Sequence, residues 1–323
     1  MIRPGHRFLA LPMIVLLVAA CSASATPAPT PAPTPAPTVA AATVAPTPAP
    51  TPSPTANPCS KGALQTLAAG KLTIGTDNPA YPPYFAAPSD GVAYHTPWKD
   101  VGDPYTGQGF ESAVAYAVAA QLGFANADVV WTVVPFDNSY KPGTKPFDFY
   151  LAQVSYTADR AQAVDMSDGY YFVAQSVVAL KSNPISNAKT VADLKQYRFG
   201  AQVSTTAYTT IKDVIQPATK PMVYNTNDAA IQALKAKQID GLVVDLPTAF
   251  YITAAQLDNS VIVGQFPAAT GPDAEHFSLV MAKGSSITPC VNQALAAMKA
   301  DGSLDQITKT WLSDKASAPI FGQ

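Results

Sequence analysis

A handful of polar residues stand where an α/β fold could put them to use. Asp77, Ser155 and Asp245 each follow a stretch that reads as a strand. Open α/β sheets bind ligands in the crevice beyond the carboxyl ends of their strands. Thr205 and Thr206 open a predicted helix, whose free N–H groups and positive dipole end suit an anion. Arg160 lies five residues after Ser155. Taken singly, each also reads as an N-cap, a turn former or a solvated side chain. The chemistry open to them is recognition of a small polar ligand. Three His and three Cys do not fall at zinc-binding spacing, and no metal or other cofactor is expected.

Composition narrows the partners. The chain has 323 residues with 20 basic and 22 acidic groups, and Arg3 and Arg7 are the only charges before residue 59. At roughly 150 residues per domain this is a two-domain length. A mildly acidic body with no basic run argues against nucleic acid and against electrostatic docking on anionic lipid.

The elements that must position these residues alternate. Leu72–Thr76 has the period-two pattern of a strand and runs into a loop. Residues 110–122 place Phe110, Val114, Val118 and Leu122 on one helical face, and Gly123 stops that helix. Residues 128–134 and 147–154 read as further strands, completing a βαβ core. A second cycle begins after Lys181, with a capped short helix at Thr190 and strands at 198–202, 222–224, 241–244 and 261–266. Helices are expected over 205–216 and 228–238, and from Pro247. The tail is helical again from Pro289 to Gly302, and Ser303 to Gln306 reads as a capping box for a last helix. Two βα cycles with helices left over predict two lobes.

The first 58 residues have another character. A basic start precedes an apolar run from Phe8 to Ala20, too short for the ~20 residues of a membrane span and in proportion for a signal peptide. Val18-Ala19-Ala20-Cys21 resembles the lipobox of bacterial lipoproteins, which implies cleavage after residue 20 and diacylglycerol on Cys21. Residues 22–58 hold 12 Pro and 8 Thr and no charge, including the repeat TPAPTPAPTPAPT. Such a segment has no core to bury and favours extended polyproline II, a tether whose Thr residues could carry glycans. Cys59 and Cys290 are then the only thiols of an exported body, and a disulfide between them is expected.

From Lys71 to about Leu312 the sequence resembles the periplasmic solute-binding proteins of ABC importers, and most closely the branch that takes polar amino acids. The resemblance rests on Gly75-Thr-Asp77 followed by Tyr81-Pro-Pro-Tyr84, on Gly109-Phe-Glu111, and on Gln153-Val-Ser-Tyr-Thr-Ala-Asp-Arg160. It continues through Asp165-Met-Ser-Asp168-Gly-Tyr-Tyr171, Ser204-Thr-Thr206, Val244-Asp245-Leu-Pro247 and Lys299-Ala-Asp-Gly302. It implies a type II two-lobe α/β fold of the Venus-flytrap kind, with two hinge crossings near Ser176–Lys181 and Phe266–Glu275. Lobe one would comprise 59–177 and 272–323, and lobe two 178–271. It further implies a monomer that delivers its ligand to a membrane permease outside the cytoplasm, held to the membrane only by its lipid.

The same resemblance assigns roles. Arg160 forks onto a ligand α-carboxylate, Thr205 and Thr206 meet that carboxylate from the other lobe, and Asp245 receives the α-ammonium. Ser155 bonds the polar end. Tyr81 is either an aromatic wall or a plain core tyrosine, and Tyr84 stands beside it. The physics agrees: a planar guanidinium suits a carboxylate, and a zwitterion is costly to desolvate unless both charges are met. Asp77 matches a position that contacts cationic or amide side chains in some relatives, and Gln153 replaces a small hydroxyl residue. These lean toward a polar ligand side chain.

Two departures from the family stand out: a long connection over 86–108, and the turn-rich stretch Pro135 to Pro146 where relatives carry a helix. Both are expected near the pocket mouth. The fold also hosts dehydratases acting on cyclohexadienyl acids, and sensor modules. No apolar span follows Trp311, which disfavours a sensor. An enzyme would need an acid or base beyond the clamp, for which His95, His276 and Glu111 are the candidates. The expectation is a binding protein with no catalytic residue.

Overall fold

The computed structural model describes residues 57–268, 274–312 and 318–322. The expected signal peptide, Cys21 and nearly all of the Pro/Thr-rich tether therefore lie outside the described residues. In chain order the strands begin with β1 (Leu72–Thr76), β2 (Val129–Val133), β3 (Phe149–Tyr150), β4 (Asp165–Met166), β5 (Tyr171–Phe172) and β6 (Gln175–Leu180). They continue with β7 (Phe199–Gln202), β8 (Met222–Tyr224), β9 (Gly241–Asp245), β10 (Ser260–Gln265), β11 (His276–Phe277) and β12 (Val280–Met281). The helices are α1 (Phe110–Gln121), α2 (Phe136–Ser139), α3 (Ala158–Ala163), α4 (Val191–Leu194) and α5 (Thr206–Thr209). After them come α6 (Asn227–Lys235), α7 (Leu246–Tyr251), α8 (Thr288–Ala300) and α9 (Ser303–Trp311).

Two five-stranded sheets result. The first has the order β2-β1-β3-β12-β4, with β1, β2 and β3 parallel and β12 antiparallel to β3 and β4. The second has the order β10-β6-β9-β7-β8, with β7, β8 and β9 parallel and β6 antiparallel to both β9 and β10. Parallel strands need helical crossovers, and α1, α5 and α6 supply them. The chain passes between lobes twice, after β5 and again between β10 and β11. A two-stranded ribbon of β5 and β11 brings the two passages together. The fold is the expected two-lobe α/β architecture.

Each lobe has its own core. In the first, α1, α8 and α9 pack with β1 and β2 through Val114, Val118, Leu295, Met298 and Leu304. In the second, Val177, Phe199 and Val243 on one face of the sheet pack with Ile211, and Val178 and Leu242 on the other face pack with Ile231 and Leu234 of α6. Burial on both faces explains why β9 reads as an unbroken apolar run. Cys59 is bonded to Cys290, 231 residues away, tying the start of the body to α8. Among the described residues no helix is long and apolar enough to cross a membrane.

Several boundaries differ from the sequence reading. The strand expected over 147–154 pairs only at Phe149–Tyr150, because the chain turns at Gln153, whose φ is 55°. Pro135 to Pro146, in line with its turn-rich sequence, holds only a single helical turn, α2. The helix expected over 205–216 widens after Thr209 into a π-helical turn. Ser303 does not cap α9; Gly302 holds the N-cap position, and the Ser303 hydroxyl is directed at the Met298 carbonyl. The sequence reading divides the lobes at 177/178, yet β6 joins the second sheet from Gln175. It also assigns 272–323 entirely to lobe one. Residues 318–322 instead pack on lobe two: Ile320 pairs with Gln265, Gly322 with Thr190, and Phe321 is buried against Phe266.

Candidate functional site

The carboxyl ends of strands from both sheets face one cleft of about 140 Å³. Asp77, Tyr81, Gln153, Ser155 and Arg160 line it from the first lobe, and Thr205, Thr206 and Asp245 from the second. The structure thus brings together eight of the nine ligand-contact residues expected from sequence. Tyr84 is the ninth and does not line the cleft. The residue is 2% exposed, its ring packed edge-on against Phe277 and its hydroxyl 3.1 Å from Thr248 Oγ1 across the lobes.

Arg160 is held by local structure. Thr157 caps α3 by accepting the Arg160 N–H, which sets the first turn and aims the side chain inward. Arg160 is 8% exposed. It donates from Nη1 to the Ser155 carbonyl at 2.5 Å and from Nη2 to the Ser204 carbonyl of the other lobe at 2.8 Å. It lies 4.4 Å from the Tyr140 ring centroid and 5.5 Å from that of Phe136. A guanidinium has five N–H donors, so three remain for a ligand carboxylate. Burial lowers its pKa, but an arginine stays charged through such a shift.

Asp245 ends β9 and stands at the N-cap of α7, yet makes no side-chain cap. Its carboxylate accepts instead from Gln175 Nε2 at 2.6 Å. Burial and then the negative charge of Glu275 push its pKa up to about 8. Glu275, on the return passage, accepts from Ser155 Oγ at 2.7 Å and from Gln175 Nε2 at 3.1 Å. The same Gln175 amide reaches Thr206 Oγ1 at 3.3 Å. Gln175 and Glu275 therefore link residues of both lobes at the hinge. In sequence Glu275 stands only at the edge of a crossing, and a lone carboxylate beside an irregular segment gives no motif.

The remaining side chains are placed as follows. Thr205 caps α5, accepting from Tyr208 N–H and donating to the Gln202 carbonyl, so its hydroxyl is already engaged. Thr206 Oγ1 lies 3.4 Å from Ser155 Oγ, one lobe to the other. Asp77 accepts from the Asn78 and Phe136 N–H groups, and burial raises its pKa. Tyr81 donates to Asp228 on α6 across the cleft. Gln153 sits at positive φ and is fixed by Glu111, which takes both its backbone and side-chain N–H groups as well as the Tyr170 hydroxyl. Burial pushes Glu111 up to about 7 against those bonds.

The two unusual segments divide. From 135–146, Phe136 lines the cleft and Tyr140 covers Arg160, donating to the Ser204 carbonyl at 3.2 Å. The 86–108 connection contributes no lining residue and folds back on the first core instead. Its Trp98 is buried and donates to the Asp77 carbonyl at 3.2 Å, and His95 bonds Asp103. That connection therefore backs the cleft wall from behind.

Against known proteins, the family model of bacterial extracellular solute-binding proteins, family 3, matches residues 72–314. The ABC transporter arginine-binding protein 1 of Escherichia coli strain K12 is 28% identical over 228 residues, covering 68% of this chain and 87% of that protein. A solved ancestral arginine-binding protein bound to glutamine aligns with TM-score 0.59 at 27% identity, covering 76% of this chain and 98% of that one. A solved ancestral amino-acid-binding protein, a precursor of cyclohexadienyl dehydratase, aligns with TM-score 0.59 at 25% identity, covering 75% and 95%. With three quarters of its length matched to that model, the chain belongs to the bacterial extracellular solute-binding proteins, family 3.

Proposed function

We propose that this protein captures a free amino acid with a polar side chain between its lobes and delivers it to an ABC permease, from a position outside the cytoplasm where Cys21 carries a lipid. The observation that carries the reading is that Arg160 from one lobe and Asp245 from the other meet in one cleft. A zwitterion supplies one charge of each sign, and its desolvation is offset only if both are met. With half of the clamp on each lobe, tight binding and closure are one event. The bonds from Arg160 and Tyr140 to Ser204, and from Tyr81 to Asp228, belong to the closed arrangement.

Binding without chemistry is the better reading of the titratable groups. Glu111, poised near neutrality, is saturated by Gln153 and Tyr170 and lies outside the cleft lining. His276 bonds the Ala274 carbonyl and stacks on Tyr156, and His95 bonds Asp103, so neither faces the ligand position. A thermal-shift screen of the proteinogenic amino acids tests the proposal, since a ligand at 100 times its Kd stabilises by about 2.7 kcal/mol. The expected outcome is a rise in Tm for a small group of polar amino acids, each recovered unchanged after long incubation. No shift with any amino acid, or conversion of the ligand, overturns it.

A further inference from the structure

The amine end of the site is built on two carboxylates, although an α-ammonium brings a single charge. Gln175 stands opposite Asp245 in the ladder between β6 and β9 and is 3% exposed. Its Nε2 donates to Asp245 Oδ1 at 2.6 Å and to Glu275 Oε1 at 3.1 Å, so one neutral amide holds both acids. Glu275 Oε1 also accepts from Ser155 Oγ of the first lobe at 2.7 Å. Neither acid has a Lys, Arg or His ion-pair partner among the described residues.

The far end of the same amide shows what holds it. Gln175 Oε1 is buried with no hydrogen-bond partner among the described residues. Turning the amide over would set that oxygen against two carboxylates, so the acids fix its orientation and a buried carbonyl goes unmet. Among the described residues, Gln175 and Glu275 do not line the cleft; both line a separate cavity of about 280 Å³. They therefore act on a ligand through Asp245 and Ser155. Around Asp245 stand the acids Glu275 and Glu111, the phenols of Tyr84, Tyr170 and Tyr171, and the cation Arg160. After burial, the Glu275 charge does most to keep a proton on Asp245, and the Gln175 bond works against it.

We propose that Glu275 is a positioning residue for ligand capture: through the Gln175 amide it aims the Asp245 carboxylate at the ligand amine, and its charge makes a proton compete with that amine. The proposal rests on the amino-acid reading above. Two neighbouring carboxylates disfavour joint ionisation unless a cation joins them. The ligand ammonium is that cation when it is present, and a proton takes its place when it is not. Asp245 belongs to the second lobe and Glu275 is bonded to Ser155 of the first, so the exchange takes place where the lobes meet.

Calorimetry between pH 5.5 and pH 9, with whichever proteinogenic amino acid raises Tm most, tests this in Glu275→Gln and Gln175→Met. The native protein should lose affinity about tenfold or more from pH 8 to pH 6 and release about one proton on binding at pH 7. Glu275→Gln keeps an acceptor for Ser155 and removes the charge. The pH dependence should then shrink to about threefold or less, with its midpoint lower by about one pH unit and less proton release. Gln175→Met removes the donor that favours the ionised acid, so its midpoint should move the other way, to higher pH. The Tm of each ligand-free variant checks its fold. A pH profile and proton release unchanged in both variants overturn the proposal and leave the amino-acid reading intact. So does an equal loss of affinity at every pH, which is what a purely structural role would give. If no amino acid binds the native protein, the amino-acid reading falls and this proposal with it.

Discussion

Asp245 and Glu111 are carboxylic acids that hold their protons to unusually high pH, and the two consequences run in opposite directions. Their pKa values, about 8 and about 7 in the fold, stand far above the ordinary values of 3.8 and 4.5. The folded protein therefore binds more protons than the unfolded chain between about pH 4 and 8, and ligand-free stability falls as pH rises through that window. At about 1.4 kcal/mol per pKa unit, Glu111 alone accounts for on the order of 2–4 kcal/mol of the stability lost across that window. Thermal melts should show a higher Tm at pH 5.5 than at pH 8, and Glu111→Gln should flatten the difference. An unchanged profile in that variant would remove Glu111 from the account. Ligand affinity slopes the other way, because Asp245 must be ionised to accept an ammonium. Binding should weaken from pH 8 to pH 6 and release a proton, measurable as a dependence of calorimetric heat on buffer. Arg160→Ala should cost about 2–5 kcal/mol of binding, since it leaves a ligand carboxylate buried and unmet. Unchanged affinity for the true ligand would take Arg160 out of the site.

At the scale of elements, short range chemistry was legible and long range contacts were not. The start of α1 shows both: its buried face reads from local pattern, whereas the need for Gly109 comes from backbone more than twenty residues away. Gly109 has φ 96°, and a Cβ there would lie 2.5 Å from the Tyr84 carbonyl oxygen and 2.7 Å from the Ala86 nitrogen. Gly109→Val should accordingly destabilise the first lobe by about 2 kcal/mol or more, read as a lowered denaturant midpoint. A midpoint within error of the native protein would show that the backbone yields there. The β1 strand, the Thr190 capping box of α4 and the Pro-initiated α7 and α8 were likewise visible in local pattern. The two-residue strands β4, β5, β11 and β12 have no periodicity to read and exist only through pairing with distant partners. The site divides the same way. Arg160, Asp245 and the Thr pair announced themselves at the ends of readable elements. Gln175, Asp228 and Glu275 sit in ordinary helix, strand and linker sequence, and only the approach of the lobes gives them partners.

The whole molecule is tied by links that act at different places. The Cys59–Cys290 bond closes a segment of 231 residues within the first lobe's framework. Closing so long a loop restricts the unfolded chain, and its reduction should lower stability by about 2–4 kcal/mol while leaving ligand affinity nearly unchanged. A large loss of affinity at temperatures where the reduced protein is still folded would contradict that separation. The tail makes the other link. Leu312 follows α9 on one lobe, whereas Ala318 to Gly322 lies zipped to β10 and the start of α4 on the other. Six virtual bonds of about 3.8 Å join Leu312 to Ala318, so their Cα atoms cannot part by more than roughly 21 Å. The C-terminus thus works as a leash on domain travel. It is a third strap beside the two hinge strands, and any wider gape must first peel Phe321 from its seat against Phe266.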